Sequence, residues 1–216
     1  MPRKAARGQP RMPPPADEFA RCAPVLCRTY PQRWVRLAAK TRPLVDWDDR
    51  AVSRFSSPVN PFKVLYLADQ KATAFWEVFG ALVEDMSVDS RVLYESKQVA
   101  PRHFVNFDVV PGLRLIDFTE ESTLHEVRAN AGTFLAPYKY CQAWAAALMR
   151  HPLNLHGFLY QSCRRGSTAK CLALFSRPTL VEAESHVNAA PDVSHAALVD
   201  DPDFLRVLID HDIDLR

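Results

Sequence analysis

Residues 53–80 read SRFSSPVNPFKVLYLADQKATAFWEVFG, a run that passes through a loop, a strand and a helix. Pro58 and Pro61 fall within residues 56–63 and mark the loop. Residues 64–68 (VLYLA) form a short apolar run with the length and composition of a buried strand. Asp69 follows where a helix N-cap belongs, because a short carboxylate can accept from the free amides of a first turn. The spacing then predicts a helix over residues 70–84. Ala72, Phe75, Trp76, Phe79, Leu82 and Val83 recur every three or four residues and make one apolar face for a core. Glu77 lies roughly opposite Phe75, Phe79 and Leu82, so its wheel position alone reads as a solvated surface carboxylate.

Outward from this unit, residues 91–99, 104–109 and 113–118 read as strands separated by Pro101 and by Pro111–Gly112. Thr119 is placed to cap a short helix running to Arg128. Residues 138–149 carry the alanines and aromatics of a second long helix, closed by Arg150, His151 and Pro152. Residues 158–162 and 170–176 read as strands around the basic turn RRGST. A short helix is expected at 16–22, an extended segment at 25–30 and a terminal helix at 201–210, while 31–40 show no clean periodicity. Helices and strands mix without strict alternation, which points to α+β.

The chain has 216 residues, enough for one domain with some decoration. With 27 basic against 25 acidic residues, neither nucleic acid nor a membrane surface is indicated as the main partner. The start is the exception: residues 1–15 (MPRKAARGQPRMPPP) are basic, proline-rich and without an acid. Such a stretch has too little apolar surface to offset its ordering entropy, so residues 1–17 are expected to be a disordered arm and 18–216 the domain. No apolar stretch follows the early charges as a secretory signal requires, and no run approaches the ~18 apolar residues of a membrane span. A cytoplasmic address is expected. Cys22, Cys27, Cys141, Cys163 and Cys171 are odd in number and form no Cys-x-x-Cys, so neither a disulfide framework nor a structural zinc site is indicated. No metal is expected.

Glycine-rich phosphate loops and the G-x-S-x-G elbow are absent from the sequence. The pattern in residues 53–80 nevertheless resembles the core of the RES family, named for its Arg, Glu and Ser. Arg54–Phe55 fill the place of that family's Arg–aromatic pair, residues 65–68 (LYLA) its strand end, and residues 74–77 (AFWE) its helix with the Glu. Residues 156–175 (HGFLYQSCRRGSTAKCLALF) resemble the second block, with Ser162 in the serine's place, and residues 140–144 (YCQAW) resemble the helix before it. The resemblance covers about residues 25–178. It departs where the family usually shows Arg-Trp-Asn followed by a glycine: this chain has Arg54–Phe55–Ser56 and no glycine before Tyr66. What the resemblance implies is a single α+β domain like the ADP-ribosyltransferase toxins, with mixed or antiparallel sheets and flanking helices. It also implies cleavage of the nicotinamide–ribose bond of NAD+ by a bacterial toxin, with water or phosphate as acceptor. NAD+ is then the substrate, not a cofactor. The implied partner is an Xre-type helix-turn-helix antitoxin, through which alone nucleic acid is touched; homo-oligomerisation stays open.

The residue types suit that chemistry. Breaking an N-glycosidic bond builds oxocarbenium-like charge on the ribose, which a nearby anion stabilises, and Glu77 is the candidate. A guanidinium can grip the pyrophosphate with two hydrogen bonds, the role expected of Arg54. An aromatic face attracts the cationic nicotinamide ring, expected of Tyr66. A hydroxyl can orient the amide or the ribose, expected of Ser162. Arg164 and Arg165 are weaker candidates for phosphate, and Tyr138 and Tyr140 for lining the site. Each has a plainer reading: Arg54 paired with Asp48 or Asp49, Tyr66 in the core, Ser162 as a strand end. Two other functions stay open, an ADP-ribosyltransferase acting on a macromolecule and a catalytically inactive RES-like binding or regulatory subunit. The four principal residues are required to converge within roughly 10 Å if they contact one dinucleotide.

Overall fold

Strand β2 (Lys63–Ala68) is where the fold is organised. Val64, Leu65, Leu67 and Ala68 are buried, so both of its faces are covered. That matches a run with no polar alternation. In the computed structural model, which describes residues 9–22, 24, 26–39, 53–56, 62–84, 92–94, 99–130, 132–135, 137–164, 168–176, 187–189, 198–210 and 213–215, β2 is central in a seven-stranded sheet. On one side β2 pairs antiparallel with β7 (Lys170–Ser176) along its whole length, from Lys63↔Ser176 to Ala68↔Cys171. Antiparallel to β7 runs β6 (Gly157–Gln161), and parallel to β6 runs β5 (Leu115–Asp117). On the other side β1 (Arg33–Ala39) pairs residue for residue with β4 (Arg102–Val109), which carries β8 (Val187–Ala189). Between β1 and β2 the described pairing is the single register Val35↔Ala68. Two well-paired halves therefore splay apart from one junction. A separate two-stranded parallel sheet joins β3 (Val92–Tyr94) to β9 (Ile213–Leu215).

Helix α2 (Lys71–Glu84) packs over the β1–β4 half, where Phe75, Phe79, Phe104, Phe204 and Val35 share one apolar cluster with α5 (Pro202–Asp210). Helix α4 (Tyr138–Arg150) packs over the other half, where Trp144, Leu148, Phe118, Phe134 and Phe158 form a second cluster around Val64 and Ala173. Val64, Tyr66 and Ala68 alternate onto one face of β2, so both helices cover that face. The opposite face buries Trp34, Leu65, Leu67, Phe107 and Leu172. Two short helices, α1 (Ala16–Phe19) and α3 (Glu121–Glu126), complete the described α-helices.

The α+β expectation and most elements stand, with instructive differences. Strand β1 lies in the stretch without periodicity, because Trp34, Val35, Leu37 and Ala38 are buried on both faces and leave no alternation to read. Asp69 does not cap α2: its Oδ2 accepts from the Lys170 amide at 2.9 Å, tying the strand end to β7. Asp201 caps α5 instead, with Oδ1 accepting from the amides of Asp203 and Phe204 at 3.0 and 3.1 Å and Oδ2 accepting from Lys71 Nζ at 2.8 Å. Thr119 turns its hydroxyl onto Asp117, and Glu120 stands at the N-cap of α3 without a side-chain bond. Of the expected arm, residues 1–8 lie outside the described residues. Residues 9–17 are seated on the domain, with Asn130 Nδ2 donating to Gln9 O at 2.6 Å and Trp144 Nε1 donating to Arg11 O at 2.8 Å. A buried indole N–H needs an acceptor, and the arm's backbone supplies it. The side chains of Leu82 and Val83 also lie outside the description.

Gly157 fits β6 against β7, since a Cβ there would collide with the Ala173 carbonyl oxygen. Because backbone cannot step aside as a side chain can, Gly157→Ala is expected to cost about 3 kcal/mol, the upper end for overpacking. Urea unfolding followed by circular dichroism checks this.

Candidate active site

Glu77 sits on the second turn of α2, half-buried, on the side of the helix away from Phe75 and Phe79. That side is not open surface. The end of β6 reaches it, and Ser162, itself buried, donates from Oγ to Glu77 Oε1 at 2.6 Å. Two backbone bonds aim that hydroxyl. Ser162 N donates to Ala169 O at 2.8 Å, and Arg164 N donates to Ser162 Oγ at 3.2 Å. With a lone pair already engaged by an N–H, the hydroxyl's proton is committed to the carboxylate, a short charge-assisted bond. Cys163 follows in the same turn, with Sγ 3.7 Å from both Glu77 oxygens. Burial first, and then the Glu77 charge, push the Cys163 thiol up to about 11. It is therefore a neutral donor beside the carboxylate at ordinary pH. The aliphatic stem of Arg164 lies along α2 at Gly80, where a Cβ would come 3.1 Å from Arg164 Cγ.

Arg54 enters from a short turn, residues 53–56, that lies between α4 and β2. Its Nη1 donates to Phe134 O at 2.9 Å and its guanidinium lies 5.7 Å from the centre of the Tyr138 ring. Burial opposes the charge on Arg54. The ionisable groups around it, Cys163, Tyr160, Cys141 and Glu77, outweigh that burial and hold the guanidinium above its ordinary value. Glu77 is among these groups, so its charge is felt at Arg54. Tyr160 lies at the back of the cluster, where burial first, then Cys171, Glu77 and Tyr66, push its phenol well up and keep it protonated.

Tyr66 is half-buried on β2, and its hydroxyl is spent on the Arg54 turn. It lies 2.6 Å from Ser53 Oγ and accepts from Phe55 N at 3.0 Å. Its ring stacks on Phe55, centroids 5.9 Å apart at 22°. Ser162 and Glu77 are thus hydrogen-bonded to each other, Tyr66 is bonded to the turn that carries Arg54, and Arg54 is near enough to feel the Glu77 charge. Tyr138 is exposed beneath the guanidinium, whereas Tyr140 carries Lys139 over its ring at 5.1 Å. Arg165, Asp48 and Asp49 lie outside the described residues. Sequence reasoning missed Tyr160, Cys163 and Gln142, although all three stand inside the stretches that drew attention. The signal available for Gln142 was a lone amide between the buried Cys141 and Trp144.

A concavity of about 910 Å³ lies elsewhere, between α1 and α3, walled by Arg11, Glu18, Arg21, His125 and Arg128. Its charges are mostly solvated, and Arg128 is already paired with Glu18 at 2.7 Å. Its size is therefore no argument against the hydrogen-bonded cluster as the candidate site. Among the described residues no three His, Cys, Asp or Glu side chains gather as a metal would require, and no helix is long and apolar enough to cross a membrane.

The RES domain model matches residues 27–199. The chain belongs to the RES domain family. That span holds Arg54, Tyr66, Glu77 and Ser162 together. The fold of this RES domain is similar to a chain of the crystal structure of the M. tuberculosis MbcT–MbcA toxin–antitoxin complex. The TM-score is 0.58 at 16% identity, over 81% of this chain and 88% of that one. At that identity the likeness is one of fold. No curated protein matches the sequence.

A thiol held near 11 is about one part in a thousand thiolate at pH 8, so Cys163 should resist iodoacetamide there and label faster as the pH rises towards 11. Glu77→Gln removes the negative charge that helps hold the proton on, so labelling of Cys163 at a fixed pH should speed up. Peptide mapping by mass spectrometry reads both.

Proposed function

We propose that this RES domain is an NAD+-degrading toxin that cleaves the nicotinamide–ribose bond, with water or phosphate as acceptor. One observation carries the reading: a half-buried carboxylate, Glu77, oriented by Ser162 at 2.6 Å, whose charge is felt by the half-buried guanidinium of Arg54. Membership of the RES family and the expectation attached to it support the same reading.

In this mechanism the bond between ribose C1′ and the nicotinamide nitrogen breaks, and its electron pair stays with nitrogen. The pyridinium thereby becomes neutral nicotinamide, and the leaving group needs no protonation. Positive charge passes to the ribose, where Glu77 stabilises it. Ser162 holds one carboxylate oxygen in place, so little reorientation accompanies the reaction. Arg54 binds the pyrophosphate through guanidinium edges not spent on Phe134 O. An acceptor oxygen then bonds to C1′, and when that acceptor is water its proton leaves to solvent. Tyr66, half-buried, presents its ring towards the nicotinamide, with Phe55 stacked behind it. The Arg54–Phe55–Ser56 departure is accommodated, because Phe55 is fully buried and Ser56 Oγ pairs with Ser53 Oγ at 2.5 Å.

An antitoxin partner belongs to the same proposal. The structurally similar chain comes from a toxin–antitoxin complex, and an Xre-type protein is the partner expected from the resemblance. A cytoplasmic site of action, where NAD+ is abundant, completes it.

Purified chain is expected to consume NAD+, with free nicotinamide as one product. Glu77→Gln should lower kcat by about 10²–10³-fold, the loss typical for removing one charge-stabilising group. Running the assay with and without phosphate names the acceptor by its product. Expression should arrest growth, and Glu77→Ala should relieve the arrest. Folded wild type that leaves NAD+ untouched would remove the hydrolase reading in favour of a binding subunit. Labelled macromolecules in place of free ADP-ribose would favour a transferase.

A further inference from the structure

We propose that Gln142 is the positioning residue for Arg54 and thereby sets how tightly the dinucleotide is held; this rests on the NAD+ reading above. Gln142 lies in the second turn of α4, half-buried between the buried Cys141 and Trp144. Its Nε2 donates to Ser53 O at 2.9 Å and to Ser56 O at 2.8 Å. Two carbonyl acceptors can be met only by the nitrogen end of the amide, so both its hydrogens are committed. Those carbonyls flank Arg54–Phe55. A single side chain therefore grips the turn on both sides of the arginine.

The turn is held by its own side chains and from two neighbouring elements. Residues 53–56 form no helix or strand; among the described residues the backbone adds Ser53 N to Ser56 O at 3.4 Å, and Ser53 Oγ pairs with Ser56 Oγ at 2.5 Å and accepts from Ser56 N at 3.3 Å. Tyr66 holds the turn from β2 and Gln142 from α4. Helix α4 and the segment before it also receive the head of Arg54, at Phe134 O and over Tyr138. Both the root and the head of the side chain are thus referenced to α4, while Glu77 is referenced to α2 and β6. Loosening Gln142 displaces Arg54 and leaves the Glu77–Ser162 pair intact. The consequence falls on binding more than on chemistry.

The test uses the full chain and compares wild type, Gln142→Leu, Gln142→Glu and Arg54→Ala in NAD+ consumption, with ADP-ribose binding by calorimetry and a Tm for each. Gln142→Leu is expected to raise KM about tenfold with kcat within about twofold, and to weaken ADP-ribose by the same factor. In an Arg54→Ala background the same substitution should add nothing, because the group it positions is gone. Gln142→Glu, which keeps the shape, should be poor near neutral pH, where a carboxylate faces two carbonyls. It should recover as the pH falls below about 5 and the acid regains a donor. Unchanged KM in either folded variant, a fall in kcat alone, or an undiminished effect in the Arg54→Ala background would overturn the proposal. Wild type that binds ADP-ribose but consumes no NAD+ sinks the functional reading and leaves the Gln142 effect readable in binding. Wild type that binds neither overturns both.

Discussion

The hydrogen bond from Ser162 to Glu77 ties together parts of the molecule that the sheet scarcely connects. Glu77 rides on α2, which covers the β1–β4 half; Ser162 directly follows β6 in the other half. Between the halves the described strand pairing is the single register Val35↔Ala68. A sheet hydrogen-bonded along its full width would leave no splay, and α2 and α4 would close over a continuous surface. Here they cover the same face on either side of β2, and the polar residues meet between them. The candidate site is thus a product of incomplete pairing.

The electrostatics follow from that placement. A carboxylate and a guanidinium in a half-dry cluster lose hydration, and hydrogen-bond partners replace it. Glu77 takes Ser162 and Cys163, and Arg54 takes Phe134 O. The remaining neighbours, Cys163 and Tyr160, are kept protonated by burial and by the Glu77 charge, so they add donors and no competing anions. Among the described residues, negative charge at the site is concentrated on Glu77, with Arg54 and Arg164 near it.

Aromatic packing gives this polar cluster a rigid floor. Phe55, from the Arg54 turn, meets Phe158 and Tyr160 edge-on at 4.8 and 5.1 Å and stacks on Tyr66. The turn is therefore pinned apolar side down while its polar atoms go to Gln142 and Tyr66. The N-terminal segment contributes at a distance: by accepting from Trp144 it satisfies the largest side chain of α4, the helix to which Arg54 is referenced.

Periodicity was enough for β2, α2 and α4, because each has a stripe or a run of apolar residues that local geometry alone requires. It was also enough for the class, α+β, and the linear pattern around Arg54, Tyr66, Glu77 and Ser162 pointed to the family. What it could not reach was anything that depends on a second segment. Strand β1 was illegible because burial on both faces removes alternation. Asp69 read as a cap until β7 supplied a closer donor, and the Glu77 wheel position read as solvent because a helical wheel carries no record of β6. The partners of the turn, Gln142 and Phe134 O, lie some eighty residues away in sequence. Local sequence determined which elements form and which faces are apolar. Only the tertiary structure decided which polar groups meet, since hydrogen bonds between distant segments are set by how the elements pack.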